Sequence, residues 1–171
     1  MTDYVARAAD ADEEARFERL IEPHLGDAFA FAQALSADRS AAQDAVQSAA
    51  FKAWQRIRQL RDDGSARAWF LTIVVNECKT VWRKRTAVAS DNDAGAEPIS
   101  WPLSIDQRLD VRSVMRQLKR DDRVVLSLRF LMDMSVEETA GVLGILVSAV
   151  KACTARAAFR FRQLMGHQAG E

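Results

Sequence analysis

The chain has 171 residues, 49% of them hydrophobic, and its 24 Lys and Arg are balanced by 24 Asp and Glu. Only three prolines and seven glycines interrupt it, which predicts an all-α protein large enough for one ordinary domain or two small ones. No apolar run reaches the roughly 18 residues of a membrane span, and the N-terminus is acidic rather than basic and then apolar, which points away from membrane insertion or secretion and towards a cytoplasmic protein.

Zero net charge argues against a nucleic-acid binder, but the total hides a segregation. Met1 to Pro23 holds seven acids and three bases, whereas Phe51 to Arg85 holds nine bases and three acids. Thr86 to Asp110 returns to five acids and one base, and Ile145 to Met165 has four bases and no acid. Two basic blocks thus flank an acidic stretch, as expected of two phosphate-facing surfaces or, more simply, of two solvated helix faces.

In chain order, the first informative element is "RAWFLTIVVNECKTVWRKR", Arg67 to Arg85, which lacks proline and glycine. Phe70, Leu71, Val74, Cys78 and Val81 recur at helical spacing and form a core-facing stripe. A second stripe, Thr72, Asn76, Lys79 and Arg83, is polar throughout. Next comes "TAVASDNDAGAEPISWPLSIDQ", Thr86 to Gln107, with two prolines, small and acidic residues and no helical period. It reads as a flexible acidic linker, in which Trp101 either docks on one of the modules or a partner or serves as a small local anchor, and fully extended it spans on the order of 70 Å at ~3.3 Å per residue. The boundaries so expected are 1–85 for an N-terminal helical module, 86–110 for the linker and 111–171 for a C-terminal helical module.

The C-terminal module opens with an amphipathic stripe, Val114, Leu118, Val125 and Leu128, across a break at Lys119 to Asp122. In "SVEE", Ser135 is placed to cap a new helix while Glu138 reaches back to it, a capping box. Gly144 in "LGI" supplies a left-handed turn, and a longer helix restarts near Val147. Two helices about a tight glycine turn, the second basic, form a helix-turn-helix pattern. Val150, Thr154, Ala157 and Phe161 share one face of the second helix, leaving Ser148, Ala149, Lys151, Ala152 and Arg156 on the other. Short side chains there are poor equipment for bidentate base reading, so phosphate contact and indirect readout would supply more of any specificity.

No set of paired carboxylates, no nucleophile with its base and no phosphate-binding glycine loop is visible, which argues against an enzyme. Cys78 and Cys153 have no CxxC partner, and His24 and His167 have no neighbours at metal spacing, so neither a disulfide nor a metal site nor a cofactor is expected.

Taken together, these motifs resemble the extracytoplasmic-function (ECF) sigma factors, small members of the bacterial sigma-70 family, from about Phe17 to Met165. "AQDAVQSAAFKAW" is similar to the family's A-E-D-L-V-Q-E-x-F-x-x-A-W at Asp44, Val46, Gln47, Ala53 and Trp54. "RDDGSARAWFLTIVVNECKTVWRKR" follows R-G-D-x-S-x-x-x-W-L-x-x-I-x-x-N-x-x-x-D-x-x-R-R at Asp63, Trp69, Ile73, Asn76, Arg83 and Lys84. "LRFLMDMSVEETAGVLGILVSAVK" is similar to L-R-Y-x-x-G-L-S-Y-E-E-I-A-E-I-L-G-I-P-V-G-T-V-K.

The resemblance implies a transcription initiation factor that recruits core RNA polymerase to promoter DNA. Asp44, Gln47, Ser48 and Phe51 would dock on the polymerase, with Trp54 packed inside the module. Arg61, Asp63, Ser65, Trp69, Thr72, Asn76, Lys79, Arg83, Lys84 and Arg85 would meet the minus-10 element, the loop Arg61 to Ala66 receiving a flipped base. Ser148, Ala149, Lys151, Ala152 and Arg156 would meet the minus-35 element. An anti-sigma factor is the further partner implied. The sequence departs from the family at Ser48, at Ala50 with Phe51, and at Cys153, where the recognition helix loses an arginine. That loss raises the alternative of a sigma-like decoy that sequesters an anti-sigma factor or polymerase without productive promoter recognition.

Overall fold

The computed structural model describes residues 2–36, 38–87 and 105–168, all helices, turns and short connections. Helix α1 spans Thr2–Leu20, α2 Leu25–Leu35, α3 Arg39–Arg56 and α4 Ala66–Ala87. The second half holds α5 Ile105–Gln117, α6 Arg120–Leu126, α7 Val136–Leu143 and α8 Val147–Gln168. Helix α4 therefore runs two residues past the expected module end, because nothing in Thr86-Ala87 breaks it, and α5 takes in the last six residues assigned to the linker. The Arg85 side chain and Trp101 lie outside the described residues.

Chain starts and stops follow local chemistry. Asp38 caps α3 by accepting from the Ser40 amide at 2.8 Å. The capping box of α7 is complete: the Glu138 amide donates to Ser135 Oγ at 3.0 Å, and the Ser135 amide to Glu138 Oε2 at 2.7 Å. Glu138 is consequently held below the usual carboxylate range by its bonds from Ser135. Gly144 adopts the left-handed conformation at φ 65°, and α7 and α8 meet at 102°, within the helix-turn-helix range. The break between α5 and α6 falls at Leu118 and Lys119, earlier than the spacing suggested. Lys119 is extended, and Asp121 and Asp122 already sit in the first turn of α6, where carboxylates favour the helix N-terminus.

Packing begins on α3, whose Ala42, Ala45, Ala49 and Ala53 are all fully buried. Small residues at that spacing bring α3 close to its neighbours, and the space is filled by Phe31 and Leu35 of α2 and Phe70, Leu71 and Val74 of α4. The same apolar cluster continues without a gap into Val124, Leu128, Met132, Met134 and Val142 of the C-terminal half. Two long-range side-chain bonds cross the boundary: Arg67 donates to the Met132 carbonyl at 2.5 Å, and Arg123 to the Leu35 carbonyl at 3.0 Å. Burial holds the Arg123 guanidinium below its ordinary value, with Arg120 and Arg116 adding repulsion. The two helical halves are thus joined by packing, a feature the sequence reading did not contain.

A second, smaller core holds Met115, Leu118, Leu126 and Ala157 together, with Phe161 and Leu164 partly covering it. An ion pair between Arg160 and the nearly buried Asp122 ties α8 to α6. Between α6 and α7 the chain makes one π-helical turn over Ser127–Leu131, in which the Met132 amide donates to the Ser127 carbonyl at 2.9 Å. Asp133 then takes the left-handed region at φ 49°, where the family pattern has glycine.

Candidate nucleic-acid and polymerase interfaces

On α3, Asp44, Gln47, Ser48 and Phe51 all face solvent, on the side away from the alanines, and Phe51 is 63% exposed. Trp54 continues this ridge. It was expected inside the module, but it stays 38% exposed and rests edge-on against Phe17, ring centroids 5.4 Å apart. The interior side of α3 is already filled by close-packed alanines, which leave no room for an indole. An exposed ridge carrying Phe51 and Trp54 with polar flanks has the chemistry of a protein-docking surface.

The loop before α4 is a 3-10 turn over Asp63–Ser65. Asp62 accepts from the Gly64 amide at 3.1 Å, and Ser65 Oγ donates to the Asp62 carbonyl at 2.7 Å. Asp63 is held from α1, with Arg16 at 2.7 Å and Arg19 at 3.4 Å, and the Arg16 hydrogen bond keeps its carboxyl below the usual range. Arg16 also donates to the carbonyls of Ile57 at 3.1 Å and Leu60 at 2.7 Å, so one guanidinium fixes the whole approach to α4. Sequence reading missed Arg16 and Arg19, because they lie more than 40 residues from their partners and carry no motif. Arg61 is exposed, and Trp69 packs half-buried on the core.

Along α4 the apolar stripe is buried as expected, although Val81 only partly, and Ile73 and Val75 are buried beside it. Burial and the adjacent Glu77 push the Cys78 thiol up to about 12, so it is an inert core group. Glu77 pairs with Lys52 at 2.5 Å. In the polar stripe, Thr72 Oγ1 donates to the Ala68 carbonyl of its own helix at 2.9 Å, which leaves it little to offer a ligand. Asn76, Arg83 and Lys84 are exposed, and Lys79 is half-exposed. Asn76, Lys79 and Arg83, with Thr80, Trp82, Arg120 and Asp121, line an open cleft of about 490 Å3 between α4 and α6. There the Arg120 guanidinium lies over the Trp82 ring, 5.5 Å from its centroid.

On α8, Ser148, Lys151, Ala152 and Arg156 are exposed and Ala149 half-exposed, while Val150 and Ala157 are fully buried on the opposite face. Thr154 spends its hydroxyl on the Val150 carbonyl at 2.8 Å, and Arg156 lies 3.1 Å from Cys153 Sγ. Phe159, 56% exposed, and Leu146 extend this surface in a way the spacing did not single out.

Two helical surfaces with amide, hydroxyl and cationic groups, one of them on a capped helix-turn-helix, define a class of all-α DNA-binding proteins. Comparison with known proteins sharpens the class. The model for sigma-70 region 2 matches residues 20–88, and that for sigma-70 region 4 matches residues 108–160. The chain belongs to the sigma-70 family, as an ECF sigma factor. It is 28% identical over 151 residues to the ECF RNA polymerase sigma factor SigL of Mycobacterium tuberculosis, covering 84% of this chain and 85% of that one. The similarity to SigM of the same organism is 25% over 152 residues, covering 88% and 78%. Among solved structures, the sigma factor RpoE of Bartonella quintana, in complex with the anti-sigma factor NepR, superposes with a TM-score of 0.76 at 26% identity, over 88% of this chain and 96% of that one. CnrH, in complex with the cytosolic domain of CnrY, shares the fold with a TM-score of 0.71 at 24% identity, over 96% of each chain.

Proposed function

We propose that this sigma factor docks on core RNA polymerase through Asp44, Gln47, Ser48 and Phe51 and directs it to promoters through α4 at the minus-10 element and α8 at the minus-35 element. The observation that carries the reading is that α4 and α8 each leave one polar, cationic face unpacked while the opposite face packs on the protein core. On α4, Asn76 has the geometry to read a base edge, and Lys79, Arg83 and Lys84 neutralise phosphates. On α8, Lys151 and Arg156 flank alanines, an arrangement that positions on the backbone more than it reads. The chain acts as a specificity subunit of the cytoplasmic transcription machinery and supplies no catalytic group of its own. Residues 1–87 form the polymerase-docking and minus-10 module, and residues 105–171 the minus-35 module.

An anti-sigma factor is the regulatory partner proposed, by similarity to the relative solved with one. The apolar groove of about 300 Å3 lined by Met115, Leu126 and Phe130 supports it, since Phe130 stands 62% exposed at its edge. Run-off transcription with purified core polymerase on host genomic fragments tests the reading. Discrete start sites that depend on the protein support it; polymerase binding without any transcript favours the decoy, which the alanine-rich α8 face motivates.

A further inference from the structure

Trp82 has no part in the interfaces assigned above. Its indole is half-exposed on the wall of the cleft between the two halves, with Lys79 and Arg83 beside it on α4. The residue over its ring, Arg120, belongs to α6 in the other half of the molecule. An aromatic ring flanked by cations on an open groove is the arrangement that holds single-stranded nucleic acid, the ring stacking a base and the cations tracking the backbone. A guanidinium and a base use the same face of an indole, so they compete for it.

We propose that Trp82 is a stacking platform for an unpaired promoter base, and that Arg120 occupies this platform when the protein is off DNA, so that separation of the two halves and capture of the melted strand are one event. This rests on the promoter-binding reading of α4. It adds a residue that holds the opened strand and an internal contact that masks it. Elements named for positions about 25 base pairs apart lie on the order of 85 Å apart along a duplex at about 3.4 Å per pair. The arrangement in which Arg120 covers Trp82 and Val124, Leu128 and Met132 share the core of α2 and α4 is then the free form of the protein. Opening exposes the indole as it frees α8.

The sign of one substitution separates this from ordinary electrostatics. Removing a cation weakens binding to a polyanion; removing a competitor strengthens it. The test is fluorescence anisotropy of a labelled oligodeoxythymidine of about 12 nucleotides, and of a duplex of equal length, with full-length wild type, Arg120→Ala, Trp82→Leu and Trp82→Phe. Arg120→Ala is expected to bind the single strand about twofold to fivefold more tightly than wild type, despite the lost charge. Trp82→Leu keeps apolar packing without a π face and should lose at least about fivefold on the single strand but little on the duplex, whose bases are already stacked; Trp82→Phe should restore most of the loss. An Arg120→Ala protein that binds the strand no better than wild type, or a Trp82→Leu protein that binds it as well as wild type, overturns the proposal. Co-elution of the same four proteins with core polymerase reports separately on the sigma reading, which stands or falls by that result.

Discussion

Helices α4 and α8 are each 22 residues long, and each presents one face to DNA in the proposed function, yet they are mounted differently. Helix α4 is an interior beam, with Ala66, Phe70, Leu71, Ile73, Val74, Val75, Glu77 and Cys78 buried. Helix α8, among its described residues, buries only Val150 and Ala157 completely. The contrast sets a division of labour. A base-reading amide must be held within a fraction of an ångström, and Asn76 is held so because the helix beneath it cannot shift without opening the main core. Phosphate contact tolerates a looser mount, and α8 offers Lys151 and Arg156 on such a mount.

The largest expected effect breaks the beam. Phe70, fully buried at the centre of the shared core, should cost about 3–5 kcal/mol when replaced by alanine, read as a lowered urea midpoint. Because Val124, Leu128 and Met132 belong to the same cluster, the substitution should also loosen the contact between the halves, read as faster amide exchange in α6; unchanged exchange there would show that Phe70 does not support the C-terminal half.

Next comes reading against positioning on α4. Asn76→Ala should lose ~1–3 kcal/mol of discrimination at one minus-10 position. Lys79→Ala and Arg83→Ala should weaken binding to every promoter alike and lower the salt slope by about one each. Affinity across a panel of single-base promoter variants at several salt concentrations separates the two effects.

On α8 the corresponding change is a gain. Cys153→Arg places a second guanidinium beside Arg156 and should steepen the salt slope of minus-35 binding by about one, with sharper preference for guanine if the new side chain reaches O6 and N7. Titration of wild type and variant against the same duplex measures both.

The smallest effect concerns the loop that leads into α4. The Asp63 carboxyl is held below the ordinary carboxylate value by its bond from Arg16, so its anchoring is fully present above that ordinary value and is lost as pH falls through the lower folded one. Amide exchange in residues 61–65, measured against Asp63→Asn, should be slower in wild type near neutral pH, and the two should converge in acid.

Much of this was legible in sequence. Core stripes at helical spacing, the Ser135 and Glu138 box and the Gly144 turn are local chemistry within a few residues, so periodicity and capping rules found them. What was not legible is long-range. The Arg16 clamp on Asp63 and the Arg123 bond to Leu35 join residues 47 and 88 apart. The shared core was hidden because Leu128, Met132 and Met134 read equally well as the interior of a separate small module. Trp54 misled for a related reason: aromatic residues at helical spacing are ordinarily core, and only the close-packed alanines of α3 push this one outward. The left-handed turn at Asp133 was not legible either, because an aspartate does not by itself mark one as a glycine does.

Central to the account is that this chain confers promoter choice on RNA polymerase, with α4 setting the choice and α8 the strength. Mapping the start sites of run-off transcripts made by core polymerase with wild type, Asn76→Ala and Lys151→Ala on host genomic fragments tests it most directly. The account predicts discrete starts with wild type, an altered set of starts with Asn76→Ala and the same set at reduced yield with Lys151→Ala. An unchanged set with Asn76→Ala, or no protein-dependent start with wild type, would contradict it.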